Sequence, residues 1–156
     1  MDIHHGMAVR GAQPERLYKA LTRQDDLAVW MGVPTLARPE VGSLVEFQVD
    51  QGKFIMQMEV IRLEVDSLVQ WRQIRPIWQT VSGVSMPDQM ITWTLSTPWE
   101  SGTLVDFRMG DLLEDEEPYS SNSFKWASLM LRLRVYMDDI RDVVDLIPFI
   151  NRNQSM

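Results

Sequence analysis

His4 and His5 are the only imidazoles in the chain. Neighbouring strand residues point to opposite faces, so the pair cannot close on one metal ion as an i, i+2 or helical i, i+4 pair would. On the strand predicted below, His5 faces inward beside Met7, where an imidazole can exchange a proton near neutral pH. One titratable group does not make a catalytic centre, and a packed or partly exposed histidine accounts for His5 equally well. Gly83-Val84-Ser85-Met86-Pro87 opens like a nucleophile elbow but lacks the closing glycine, and no histidine partner is predicted nearby. No phosphate loop or dinucleotide fingerprint occurs. Glu46, Glu59 and Asp106 fall on outer strand faces, and nothing in their spacing makes them converge on a cleft for acid–base work. Tyr18 and Tyr136 each offer a phenol to a pocket mouth, although amphipathic packing explains both. The acidic run from Asp111 to Glu117 lacks the ladder and central glycine of a calcium loop. It reads as a solvated loop or a partner-binding lip.

The elements that must position these groups come from a chain of 156 residues, which favours one domain spanning 1–156. It is 45% hydrophobic and 24% charged, a globular balance that excludes disorder as the main state. Fifteen basic residues stand against 22 acidic ones, leaving −7. A polyanion partner is disfavoured, because nucleic-acid binding rests on cationic neutralisation of phosphates. With no cysteine, thiol chemistry, disulfides and thiolate metal sites are excluded. No apolar run approaches the roughly 18 residues that cross a bilayer. The start shows no basic region followed by an apolar stretch, which predicts no signal peptide and a cytoplasmic location. No cofactor is expected.

Asp2 to Arg10 alternates, placing Ile3, His5, Met7 and Val9 on one strand face. Pro14 opens a short helix through Leu21, where its missing N–H does no harm. Asp25 to Met31 makes a second helix, with acids near its positive end and Gly32 and Pro34 as its stop. From Gly42 the period becomes two. Strands carry Val45, Phe47 and Val49; then Phe54, Met56, Met58 and Val60; then Val69, Trp71 and Gln73. Ile91, Trp93 and Leu95 follow, and last Thr103, Val105, Phe107 and Met109. Pro76 to Pro87 reads as a long loop or an edge strand. The last third recurs at three or four residues: Trp126, Leu129, Met130, Leu133, Met137, Ile140 and Val144 form one stripe on a long helix. Ser120 to Ser123 offers its N-caps and Pro148 its end. A carboxy-terminal extension begins at about 140, where Ile140 to Ile150 would make contacts between chains.

The fold class is therefore α+β, a curved antiparallel sheet of about six strands covered by the terminal helix. A twisted sheet curling about a helix leaves a space between them. Its predicted lining is His5, Met7, Trp30, Phe47, Phe54, Met56, Met58, Trp71, Gln73, Trp93, Phe107, Met109, Trp126, Met130, Leu133 and Met137. Methionines re-pack around varied shapes, which suits a small apolar or aromatic ligand, with His5, Gln73 or Tyr136 setting its orientation. The same stripe would equally make an ordinary core. Trp30 closes one end of the space or packs as a hinge of that core.

The order of these elements, with certain local words, resembles the START-like (SRPBCC) superfamily and its helix-grip fold. The branch it is most similar to is the activator-of-heat-shock-protein-ATPase-homologue family. The words are Pro14-Glu15-Arg16-Leu17-Tyr18-Lys19-Ala20-Leu21-Thr22, Leu27 through Trp30, and Gly42 before a strand. Ile91-Thr92-Trp93-Thr94-Leu95 and Gly102-Thr103-Leu104-Val105-Asp106-Phe107 follow, then Trp126 through Met137. The resemblance implies an apolar ligand held between sheet and final helix, and a stress-response role. It keeps two alternatives open: a cyclase or dehydratase-type enzyme using the same space, with His5 or a tyrosine as acid or base, and a co-chaperone-like interaction module. A homodimer is a further expectation. Arg108-Met109-Gly110 stands where such families often carry a histidine, which weakens the enzyme alternative.

Overall fold

The computed structural model describes residues 2–74, 89–110 and 122–138. Seven strands form one antiparallel sheet in the order β1-β7-β6-β5-β4-β3-β2. These are β1 (Ile3–Val9), β2 (Thr35–Leu36), β3 (Leu44–Val49), β4 (Phe54–Glu64), β5 (Leu68–Ile74), β6 (Gln89–Ser96) and β7 (Thr103–Met109). Helices α1 (Pro14–Thr22) and α2 (Gln24–Met31) sit between β1 and β2. The last helix among the described residues, α3, occupies residues 122–138. This is the α+β arrangement that the periodicity predicts and the helix-grip fold that the resemblance implies, with one strand more. β2 is two residues long, too short to show any alternation.

Each element follows from local chemistry. Pro14 stands in the first turn of α1, which buries Leu17, Ala20 and Leu21. Asp25 and Asp26 occupy the first turn of α2, where carboxylates offset the exposed N–H groups. Gly32 ends α2 in the left-handed region at φ 73°, its N–H donating to the Ala28 carbonyl at 3.1 Å. The stop also meets α3: a Cβ on Gly32 would lie 2.2 Å from the Arg132 guanidinium. Arg132 Nε in turn donates to the Trp30 carbonyl at 2.9 Å, satisfying one of the orphan acceptors of the helix end.

The β4 strand carries a bulge between Val60 and Arg62. Strict alternation from Met58 and Val60 would turn Arg62 into the core. The extra residue instead pairs Arg62 with Gln70 on the outer face and Leu63 with Val69 on the inner one. The outer face is closed by cross-strand pairs: Gln57 to Glu46 at 2.7 Å, Arg72 to Glu59 at 3.1 Å and Gln70 to Thr92 at 3.1 Å. The readings for Pro76 to Pro87, the acidic run, the Gly83-x-Ser85 word and everything from 139 onward lie outside the described residues.

Candidate functional site

Inward side chains line up in rows across the strands. One row runs His5, Phe107, Trp93, Val69 and Leu63. The next runs Ile3, Met109, Ile91, Trp71 and Val60. A third sets Gln89, Gln73, Met58 and Val45 side by side. Helix α3 buries Trp126, Met130, Leu133 and Met137. This i, i+4, i+7, i+11 stripe is one helical face.

The rings meet in the middle. Trp93 is central, with centroids at 4.8 Å to Phe107, 5.9 Å to Trp71, 6.1 Å to Trp126 and 6.2 Å to Trp30. Trp126 stacks on Phe107 at 5.0 Å. These are contact separations for aromatic pairs, so the middle of the space is packed ring on ring and any open room lies at its margins. Of the predicted lining, Met7, Trp30, Phe47, Met58, Trp71, Trp93, Phe107, Met109, Trp126, Met130, Leu133 and Met137 are all buried. Met56, Gln73 and His5 are half-buried. Phe54 is placed differently, 50% exposed at the start of β4 beside the Asp50–Lys53 turn, beyond the reach of the core.

Buried polar atoms are normally paired, yet three inside this shell are not. The Nε1 donors of Trp93 and Trp126 and the Oε1 acceptor of Gln73 have no hydrogen-bond partner among the described residues. Trp30, by contrast, donates its Nε1 to the Ala20 carbonyl at 2.8 Å, tying α2 to α1.

The two histidines face apart, as strand geometry requires. His4 is exposed and pairs with Asp106, which also accepts from Arg108 Nε at 3.3 Å, all on the outer face. His5 points inward, stacks near Phe107 with centroids at 6.2 Å, and lies 3.1 Å through Nε2 from the Ser123 carbonyl at the start of α3. That imidazole therefore links β1 to α3.

Among the described residues two open grooves flank α3. One of 300 Å³ lies between β1 and α3, lined by His5, Gly6, Met7, Ala8, Ala127, Met130, Leu131 and Arg134. The other, 380 Å³ between α2 and α3, is lined by Val29, Trp30, Leu131, Arg132, Val135 and Tyr136. Behind the second stands a cluster that sequence spacing does not reveal. Arg16 Nη2 donates to Asp26 Oδ1 at 2.7 Å, and Tyr136 donates its hydroxyl to the same oxygen. Burial, with the Asp26 charge added, pushes the Tyr136 phenol above its ordinary value. Burial works against the Arg16 charge, but the hydrogen bond and charge of Asp26 outweigh it, and Arg16 is raised. The three residues come from three helices, and Asp26 and Tyr136 are 110 positions apart, so no local pattern announces them.

The comparisons agree with this architecture. Residues 11–138 match the family described as Activator of Hsp90 ATPase homolog 1-like protein. No curated protein matches the chain at a significant level. Among solved structures, the Aha1 dimer from Colwellia psychrerythraea is similar at TM-score 0.75 and 24% identity, over 90% of this chain and 96% of that one. MLL2253 from Mesorhizobium loti also reaches 0.75, at 20% identity over 88% and 97%. DynU16, from the dynemicin biosynthetic locus, reaches 0.70 at 18% identity, over 90% of this chain and 48% of its own. At such identities these likenesses carry the fold. The family match spans most of the chain, and the chain belongs to the Activator of Hsp90 ATPase homolog 1-like family.

Proposed function

We propose that the chain binds a small apolar or aromatic molecule on the concave face of the sheet, beside the aromatic floor and against α3. The observation that carries this reading is the set of unpartnered polar atoms in an apolar shell. An amide oxygen left unpaired in a core costs about 1–3 kcal/mol, and a guest able to donate a hydrogen bond recovers that cost. Gln73 sits in the row with Met58 and Gln89, towards the end of the sheet away from the packed rings. Adaptable methionines there, Met56 and Met58, suit a ligand of varied outline.

Native mass spectrometry of protein purified gently from its source would show the guest as a stoichiometric adduct. An apolar probe that fluoresces on burial should bind one per chain, and Met58→Trp should reduce that binding while the circular dichroism spectrum is kept. A folded Met58→Trp protein that binds the probe as before would remove this site.

A second reading rests on the α2–α3 groove. Val29, Leu131 and Val135 stand there 59%, 52% and 56% exposed, an apolar patch beside Arg132 and Tyr136. Exposed apolar patches mark contact surfaces, and the Colwellia relative is described as a dimer. Sedimentation equilibrium decides it: a dimer that Leu131→Glu dissociates supports the patch as its interface, and a monomer removes it.

A further inference from the structure

We propose that the open edge of β1 takes up an extended peptide as an eighth strand, laid in the groove between β1 and α3, with an acidic side chain of the peptide meeting Arg134. The direction of the backbone groups carries the argument. Gly110 N donates to the Met90 carbonyl at 3.0 Å, one step beyond the Ile91–Met109 pair, so Met90 and Gly110 stand at a hydrogen-bonding position of the ladder. In an antiparallel sheet hydrogen-bonded pairs recur at every second residue, and successive residues present their N–H and C=O to opposite sides. Arg108, Asp106 and Leu104 therefore bond towards β6, and Met109, Phe107, Val105 and Thr103 towards β1. Their partners on β1 are Ile3, His5, Met7 and Val9. The N–H and C=O groups of His4, Gly6 and Ala8 are left facing the open edge, and among the described residues no other group bonds them.

Among the described residues this edge is unguarded. It runs unbroken from Ile3 to Val9, with neither bulge, proline nor lysine in its sequence IHHGMAV, the devices that usually blunt an edge. The opposite edge, β2, is two residues long. Four consecutive residues, His5 to Ala8, line the groove. Alternate side chains of a strand cannot all face one way, so the backbone itself forms that wall. A Cβ built on Gly6 meets nothing within 4 Å, leaving free approach at mid-edge. The facing wall is Ala127, Met130, Leu131 and Arg134, one helical face that begins small and ends cationic.

Only another extended chain offers N–H and C=O groups at the spacing of a ladder, the arrangement of strand addition to a sheet edge. Small apolar side chains would face Met7, Met130 and Ala127. Arg134 selects an acidic neighbour. A second copy of this chain fits less well, since it would bring its own Arg134 to the same groove, like charge to like.

The test uses the full chain labelled with 15N and two heptapeptides of alternating threonine and valine, one closed by two glutamates and one by two lysines. The glutamate peptide should shift the amide signals of His4, Gly6 and Ala8 and slow their hydrogen exchange. Gly6→Pro removes an N–H that the ladder does not use, which an edge strand tolerates, and should weaken binding about fivefold or more. Arg134→Glu, on the exposed face of α3, should weaken the glutamate peptide about threefold or more and favour the lysine one. Unshifted β1 amides, or equal binding by wild type and Arg134→Glu, would overturn the proposal. So would a wild-type dimer that Gly6→Pro converts to monomer, which would make the second copy the occupant.

Discussion

Gly32 and Arg132 hold the α2–α3 junction through two constraints on one residue. Left-handed backbone costs a residue with a Cβ about 1 kcal/mol, and here the Cβ would also displace the guanidinium that bonds the Trp30 carbonyl. Gly32→Ala should lower unfolding stability by about 1–2 kcal/mol in urea titration; an unchanged midpoint would remove both constraints. Tyr136 makes a different prediction. Burial and then the neighbouring Asp26 raise its phenol above the ordinary 10.0. A phenol raised in the folded chain keeps its proton longer there than in the unfolded chain. Its stabilisation is complete below the ordinary value and is lost as pH rises through the raised one. Tyr18, raised by burial and then by Asp66, acts in the same direction. Urea midpoints should therefore fall above about pH 10, and Tyr136→Phe should flatten part of that fall. The opposing faces of His4 and His5 were legible from strand geometry alone. The Arg16–Asp26–Tyr136 cluster was not, because it exists only once three helices pack.

At the scale of elements, period and punctuation carried most of the information. Alternation marked five of the strands after α2, and the stripe from Trp126 to Met137 marked α3, because a half-buried surface sorts residues by face. The stripe has a measurable consequence. Leu133→Ala should cost about 2–5 kcal/mol, since Leu133 is fully buried, whereas Leu131→Ala, half-exposed on the same helix, should stay within about 0.5 kcal/mol. Similar losses at both positions would mean that α3 is not seated on the sheet as described. What alternation could not supply was the bulge at Val60/Arg62. One inserted residue leaves a polar Arg62 outside and Leu63 inside, and its signature in sequence is merely two apolar residues, Val60 and Ile61, in succession.

For the whole molecule, the contest is between core and cavity. The same methionines and aromatic residues serve either, and the packed rings around Trp93 settle the centre in favour of core. Gln73 tests the margin. Gln73→Met keeps the volume and removes the unpaired oxygen, so it should stabilise the unliganded chain by about 1–3 kcal/mol while weakening a hydroxyl-bearing apolar probe. Gain of stability with loss of affinity is the pattern of a binding site kept at some cost to the fold; loss of stability would show that Gln73 is satisfied where it stands. No helix among the described residues is long and apolar enough to cross a membrane.

The chain's own order of periods determined the antiparallel sheet, the two helices after its first strand and the terminal helix as cover, because each element must bury one apolar face and only one partner is available for each. Which inward groups remained unpaired, how closely the rings met, and which edge of the sheet was left open were decided by tertiary structure alone. Those outcomes depend on distances between residues remote in sequence, and hydrophobic period specifies a face but not what lies opposite it.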